Sequence, residues 1–236
     1  MNRALLFMAS VVVVVGSVAC GSNDAVDVGQ TLFADPRFSD DDFNAFSCAT
    51  CHADGSDDAV ELIRPGHSLV DTVQRPSWWG GHTVSLKDAV DDCLFFFMRD
   101  QPMDPNEAKS RALYEYLRSI SSTSPQPALP LSIVENVTTV PRGDPGRGER
   151  VYAAACATCH GDKSTGAGRL TELASIVPDD SVDFAASSGF SLETVIIEKV
   201  RHGAFFAIGG TMPPFSREAL SDEDLGALIA YLVPAP

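Results

Sequence analysis

The sequence predicts an all-α chain built as two tandem helical domains. Three observations carry that reading. The pentapeptide Cys-Ala-Thr-Cys-His occurs twice, at Cys48 to His52 and at Cys156 to His160. Each copy follows a glycine-led helical segment, Gly29-Gln30-Thr31-Leu32-Phe33 or Gly148-Glu149-Arg150-Val151-Tyr152. Each also precedes an apolar-periodic helix that ends in Tyr116-Leu117 or Tyr231-Leu232. Strand signals are thin, Ile133 to Val140 being the one short segment that reads as extended. Recurrence on this scale is duplication of a domain rather than the shorter period of a solenoid.

Composition narrows the function classes. The 236 residues carry 32 acidic and 17 basic side chains, a formal net charge of −15, with 44% hydrophobic residues, six cysteines and five histidines. Such a charge argues against nucleic-acid binding and against docking on anionic lipid through a basic patch. It favours encounter with a basic protein surface. The apolar content suffices for packed cores.

The elements follow in chain order. Residues 1–19 read as a signal peptide, with a basic start at Arg3, an apolar run from Ala4 and a small-residue ending at Ser17-Val18-Ala19. Residues 20–120 read as the first domain. Its closing helix is expected to start at Asp104-Pro105-Asn106-Glu107, with an acidic N-cap, proline at the first helical position and glutamate at the third. Ala108, Ala112, Leu113, Tyr116 and Leu117 form its apolar stripe. Residues 121–143, rich in serine and proline, read as a linker. Residues 144–236 read as the second domain, closed by a helix from Ser221 with Leu225, Leu228, Ile229 and Leu232 on its buried side.

Two thiols three residues apart lie on one face of a helical turn, and the adjacent histidine swings beneath whatever they hold. That is the arrangement a c-type haem requires. A zinc site would pool four ligands, and a redox dithiol would sit in a βαβ context without the histidine. The motifs therefore predict two c-type haems, on Cys48 and Cys51 and on Cys156 and Cys159, with His52 and His160 beside them. With those four thiols set aside, Cys20 at the end of the leader and, far from it in sequence, Cys93 are left over. Cys93 lies in a helical stretch from Ser85 to Arg99, where Leu86, Val90, Cys93 and Phe97 share a face. Either it is a small buried hydrophobe or it is a thiolate ligand to the first haem iron.

Ser17-Val18-Ala19-Cys20 resembles the lipobox of bacterial lipoproteins. The resemblance implies cleavage before Cys20, lipid attachment there, and a chain anchored at the periplasmic or outer surface of a bacterium. Through Gly148, Tyr152, Cys156, Cys159, His160, Met212-Pro213-Pro214-Phe215 and Ala230-Tyr231-Leu232, the second half resembles class I cytochromes c. The whole chain resembles diheme cytochromes c. The likeness implies His160 as proximal and Met212 as distal ligand of the second haem. Arg201-His202-Gly203 is expected to line that haem's edge or a propionate.

The pattern of Cys93, Met98, Pro102-Met103 and Tyr116-Leu117 is similar to the first domain of thiosulfate dehydrogenases, which implies Cys93 as distal ligand of the first haem. In this chain Arg99-Asp100-Gln101 and Thr211 depart from that family's pattern. Duplication points instead at Met98, which precedes Tyr116 by about the interval separating Met212 from Tyr231. Met103, His67 and His82 are further alternatives. Arg64, Arg75 and Arg99 are possible anion contacts near the first haem, and Arg75 to His82, with Trp78 and Trp79, is expected to shield its ring.

These readings predict an exported, lipid-anchored diheme cytochrome that relays single electrons to a redox partner with a basic docking surface. The alternatives are a tetrathionate-forming oxidoreductase acting at the first haem, with Cys93 in its active site, and a cytochrome subunit of a larger redox complex.

Overall fold

The computed structural model describes residues 22–56, 61–132, 139–204 and 210–233. The leader, Cys20 and residues 133–138 of the expected extended segment lie outside the described residues. Among the described residues there is no strand, and one isolated antiparallel bridge joins Trp78 to Thr83. The all-α expectation holds.

Helix α1 (Ser22–Ala34) crosses α4 (Ala108–Ser119) at a point set by two small residues. A β-carbon on Gly29 would lie 2.0 Å from the Ala112 carbonyl oxygen and 2.7 Å from the Tyr116 β-carbon. Helix α5 (Pro145–Val151) crosses α9 (Asp222–Leu232) in the same way, with the same 2.0 and 2.7 Å separations from Gly148 to Ala227 and Tyr231. One helical turn beyond each glycine an aromatic ring seals the crossing. Phe33 and Tyr116 have centroids 5.5 Å apart at 56°, and Tyr152 and Tyr231 are 5.9 Å apart at 52°. Rings tilted at such distances favour edge-to-face attraction. The duplicated sequence thus produces a duplicated crossing.

Two hydrophobic cores form around these crossings. One gathers Phe33, Phe38, Leu94, Leu113 and Leu117, and the other Ile197, Leu220, Leu225, Leu228 and Ile229. Leu225 and Leu228 are 0% exposed, and each such side chain contributes about 2 kcal/mol on burial. Helix α3 (Leu86–Phe96) and helix α8 (Leu192–His202) occupy equivalent places in the two copies. Both are capped by a serine: Ser85 accepts from the Asp88 amide and Ser191 from the Thr194 amide. The second copy also contains α7 (Asp179–Ser188).

Two expectations about α4 are corrected. α4 begins at Ala108, because Asp104 caps a turn instead: its carboxylate accepts the Asn106 amide and its carbonyl the Glu107 amide. Ala108 is exposed, and Ser110 takes a buried place on the helix. The serine- and proline-rich stretch after α4 is no free tether. The Gln126 amide donates to the Gln74 carbonyl, the Ser122 amide to Asp71, and Ser132 donates to Glu218 through both its amide and its hydroxyl. It lies as a strap from the first core to the second.

Candidate cofactor cavities

The first motif is a single helical turn, α2 (Cys48–Cys51). The Ser47 amide donates to the Thr50 hydroxyl, fixing the turn's start. The turn points both thiols into a cavity whose walls are almost wholly apolar, including Phe46, Leu86, Val90, Trp78 and Trp79. The strap closes this cavity with Leu129 and Leu131, and Pro213 and Pro214 reach it from the second half of the chain. Burial pushes the Cys48 thiol up to about 11 and the Cys51 thiol up to about 12. Both remain protonated at neutral pH.

The second motif is reached differently. A wide π turn, Tyr152–Cys156, replaces the long loop from Asp35 to Ser47 that separates helix and motif in the first copy, and α6 (Ala157–His160) follows. Such turns recur at functional sites. Cys156 and Cys159 face a second cavity with Met212, Lys199, Phe184 and Leu228. Burial pushes the Cys156 thiol up to about 12 and also raises that of Cys159.

The two histidines are held identically. His52 donates from Nδ1 to the carbonyl of His67 at 2.7 Å, and His160 donates from Nδ1 to the carbonyl of Ser175 at 2.8 Å. A carbonyl only accepts, so the proton is on Nδ1 and the lone pair on Nε2. This second contact is what orients a ligating imidazole. Burial lowers the pKa of both rings, and each stays neutral. Among the described residues no group of three or more His, Cys, Asp or Glu side chains is arranged to hold a metal ion. An apolar cavity with two protonated thiols and one free imidazole nitrogen suits iron that brings its own equatorial ligands, as a porphyrin does. The residues present fit a c-type haem in both cavities.

The distal candidates separate. Cys93 and Met98 both line the first cavity. Cys93 is partly accessible, and burial raises the pKa of its thiol, so its accessible surface opens into the cavity rather than to bulk water. Met98 is 4% exposed and belongs to the core with Leu94 and Leu113, its carbonyl accepting from the Ser39 hydroxyl at 2.8 Å. Met103 packs at the edge of that core and is not among the residues lining the cavity. His82 is exposed and likewise outside the lining. His67 lies on the His52 side, and its Nε2 donates to the Pro130 carbonyl at 2.7 Å. In the second cavity Met212 is the sulfur ligand candidate, and the Ala204 amide donates to its carbonyl.

The expectation that Arg201 and His202 line the second haem's edge is overturned. Arg201 is 1% exposed, and its guanidinium donates to the carbonyls of Phe215, Ser216 and Leu220 and to the Asp222 carboxylate. It ties together the loop that follows Met212. His202 is buried with Nδ1 2.7 Å from Glu198. The arginines also move. Arg75 lines the first cavity, but it donates to the carbonyls of Ser68 and Val70. Arg64 and Arg99 line the second cavity, not the first.

Sequence reasoning missed the strap's leucines, the carbonyl partners of the histidines and the Arg201 tie. Backbone acceptors leave no mark in a sequence, and a buried arginine looks like any other. The two cavities share part of one wall, with Cys51, Phe46, Pro65, Phe97 and Pro213 lining both.

No curated protein sequence matches the chain. Among solved structures, the thiosulfate dehydrogenase (TsdBA) from Marichromatium purpuratum in its "as isolated" form is similar at 19% identity and a TM-score of 0.44. The similarity covers 89% of this chain and 46% of that one, so the chain spans about half the length of that structure. The family model described as cytochrome c oxidase, cbb3-type, subunit III matches residues 143–232. That match takes in Cys156, Cys159, His160 and Met212. Residues 143–232 are thus similar to a domain of the cytochrome c family, whose members bind haem iron covalently and transfer electrons.

Proposed function

We propose that the chain is an exported diheme c-type cytochrome, lipid-anchored at Cys20 on the periplasmic or outer surface of a bacterium, which relays single electrons between two covalently held haems. The observation that carries this is the repeated donor set: two buried thiols and an imidazole with Nδ1 tied to a carbonyl, present in both cavities. The haem supplies an iron that alternates between ferric and ferrous states, one electron entering and one leaving per cycle. The protein supplies everything that makes this fast and selective. Cys48 and Cys51, and Cys156 and Cys159, would hold the two porphyrins as thioethers, each S–H adding across a vinyl double bond with the sulfur on one carbon and the hydrogen on the other. His52 and His160 would offer Nε2 to the irons, with Met212 the sulfur candidate in the second cavity and Cys93 the one in the first. The apolar walls exclude water, and the wall common to both cavities supports transfer between them without passage through solvent. The acidic surface suits a redox partner with a basic docking face.

Cys93 also favours a second reading, a thiosulfate dehydrogenase-like oxidoreductase working at the first cavity. Its walls favour the carrier: Arg75 is engaged by carbonyls, and Arg64 and Arg99 lie elsewhere. Mass measurement of the protein matured in a host competent for haem attachment tests the proposal. The wild type should carry two porphyrins, a chain with Cys48→Ala and Cys51→Ala one, and a chain with Cys156→Ala and Cys159→Ala the other one. A wild type with fewer than two overturns it. Reduction of the haems by thiosulfate, lost in Cys93→Ala, selects the enzyme.

A further inference from the structure

We propose that Arg64 and Arg99, both from the N-terminal half of the chain, complete the cofactor cavity of the C-terminal motif and pair with the carboxylates of the porphyrin held there. The inference rests on the assignment of that cavity to a haem.

The cavity's charged lining is the first observation. Apart from His160, among the described residues it consists of Arg64, Arg99 and Lys199 against one carboxylate, Asp180. Asp180 is already an acceptor for the Ile176 amide at 2.7 Å. A chain with net charge −15 has therefore gathered three cations around one apolar pocket. The only charged groups on a haem's periphery are its two propionates, and guanidinium matches a carboxylate in shape as well as sign.

How the two arginines are brought there is the second observation. The Ile63 amide donates to the Ala154 carbonyl at 3.0 Å, stitching the segment before Arg64 onto the π turn that precedes Cys156. The Arg64 Nε donates to the Ala49 carbonyl at 3.2 Å, within the first motif. Arg64 thus bridges the backbone of one motif to the cavity of the other. Arg99 has φ of 59°, a left-handed conformation uncommon for a side chain of its size. The turn after α3 holds it there, the Asp100 amide donating to the Leu94 carbonyl at 3.0 Å. Backbone held in a disfavoured region is a mark of a placed functional side chain. Its ion pair with Asp41, Nε to Oδ1 at 3.7 Å, is long.

The consequence is electrostatic. Cations beside the propionates offset charge that would otherwise favour ferric iron, so they raise the potential of the haem on His160. The test uses the full chain shown by mass to carry both haems, which separates failure of this inference from failure of the functional assignment. Redox titration follows each haem by its own spectrum. Arg64→Gln and Arg99→Gln should each shift the ferrous-to-ferric ratio of the haem on His160 several-fold toward ferric. A tenfold shift is about 59 mV. The haem on His52 should hold its potential, and Arg99→Lys, which keeps the charge and guards against misfolding, should recover most of the change. No shift at the His160 haem, an equal shift at both, or a shift as large in Arg99→Lys overturns the proposal. So does a wild-type potential that moves on adding sulfate while the Gln variants do not, since the arginines would then serve a soluble anion.

Discussion

Gly66 abuts His52: a β-carbon on the glycine would lie 2.2 Å from Cε1 and 2.4 Å from Nδ1 of the imidazole. The glycine amide also donates to the Cys51 carbonyl at 3.0 Å, so the segment cannot withdraw to make room. Gly66→Ala should therefore rotate or push the ring rather than move the loop, at a cost of about 1–3 kcal/mol. The expected outcome is a first haem still covalently attached but with altered axial ligation, read by its ferric spectrum, and an unchanged second haem.

The helix crossings make a stability prediction. Gly29→Ala and Gly148→Ala each drive a methyl into a backbone carbonyl on the facing helix. Each should destabilise its own core by at least about 2 kcal/mol, seen as a lower midpoint in chemical denaturation of the holoprotein. Equal losses in the two variants would follow from the equal geometry.

Cys93 and Met98 are the two sulfur candidates lining the first cavity, and spectra of the haem proposed there discriminate them. With Cys93 as ligand, Cys93→Ala should abolish the thiolate signature in the spin-resonance spectrum and raise the potential of that haem. Met98→Leu, a near-isosteric change within the core, should cost less than about 1.5 kcal/mol and leave the ligation intact. The reverse pattern assigns Met98.

The strap should loosen in acid. Burial raises the Glu218 pKa, but hydrogen bonds from the Ser132 hydroxyl and amide, its own amide and Ser216 outweigh this and bring it from 4.5 down to about 2. A depressed carboxylate contributes stability that is complete above the unfolded value and fades as pH falls through the folded one. The clasp should thus be whole above pH 4.5, weaken as pH falls, and be lost as pH passes below about 2. Glu218→Gln should differ from the wild type at neutral pH and converge with it at the acid end, in hydrogen exchange of the Ser132 amide.

Much of this was legible in the sequence because the same residues did the same work twice. The motifs, the glycines at the crossings and the stripe of α9 are periodic or repeated and appear where periodicity places them, as does the α4 stripe from Ala112 onward. Helix α8 was not named from the sequence, although Ile196, Ile197 and Val200 fall on one buried side. The start of α4 was misread because Asp104-Pro105-Asn106-Glu107 suits a turn as well as a helix cap, and only the competing bonds of Asp104 decide. The roles of Arg64, Arg99 and Arg201 were not readable. Each depends on which distant segment lies opposite, and local sequence does not encode that.

The partition between the cavities has a practical consequence. A gene fragment encoding only the second copy would leave its cavity without Phe46, Cys51, Pro65 and Phe97, an open flank facing water. Truncation at the strap should thus yield a poorly soluble half-molecule, and the duplicated units, although alike, are not interchangeable modules.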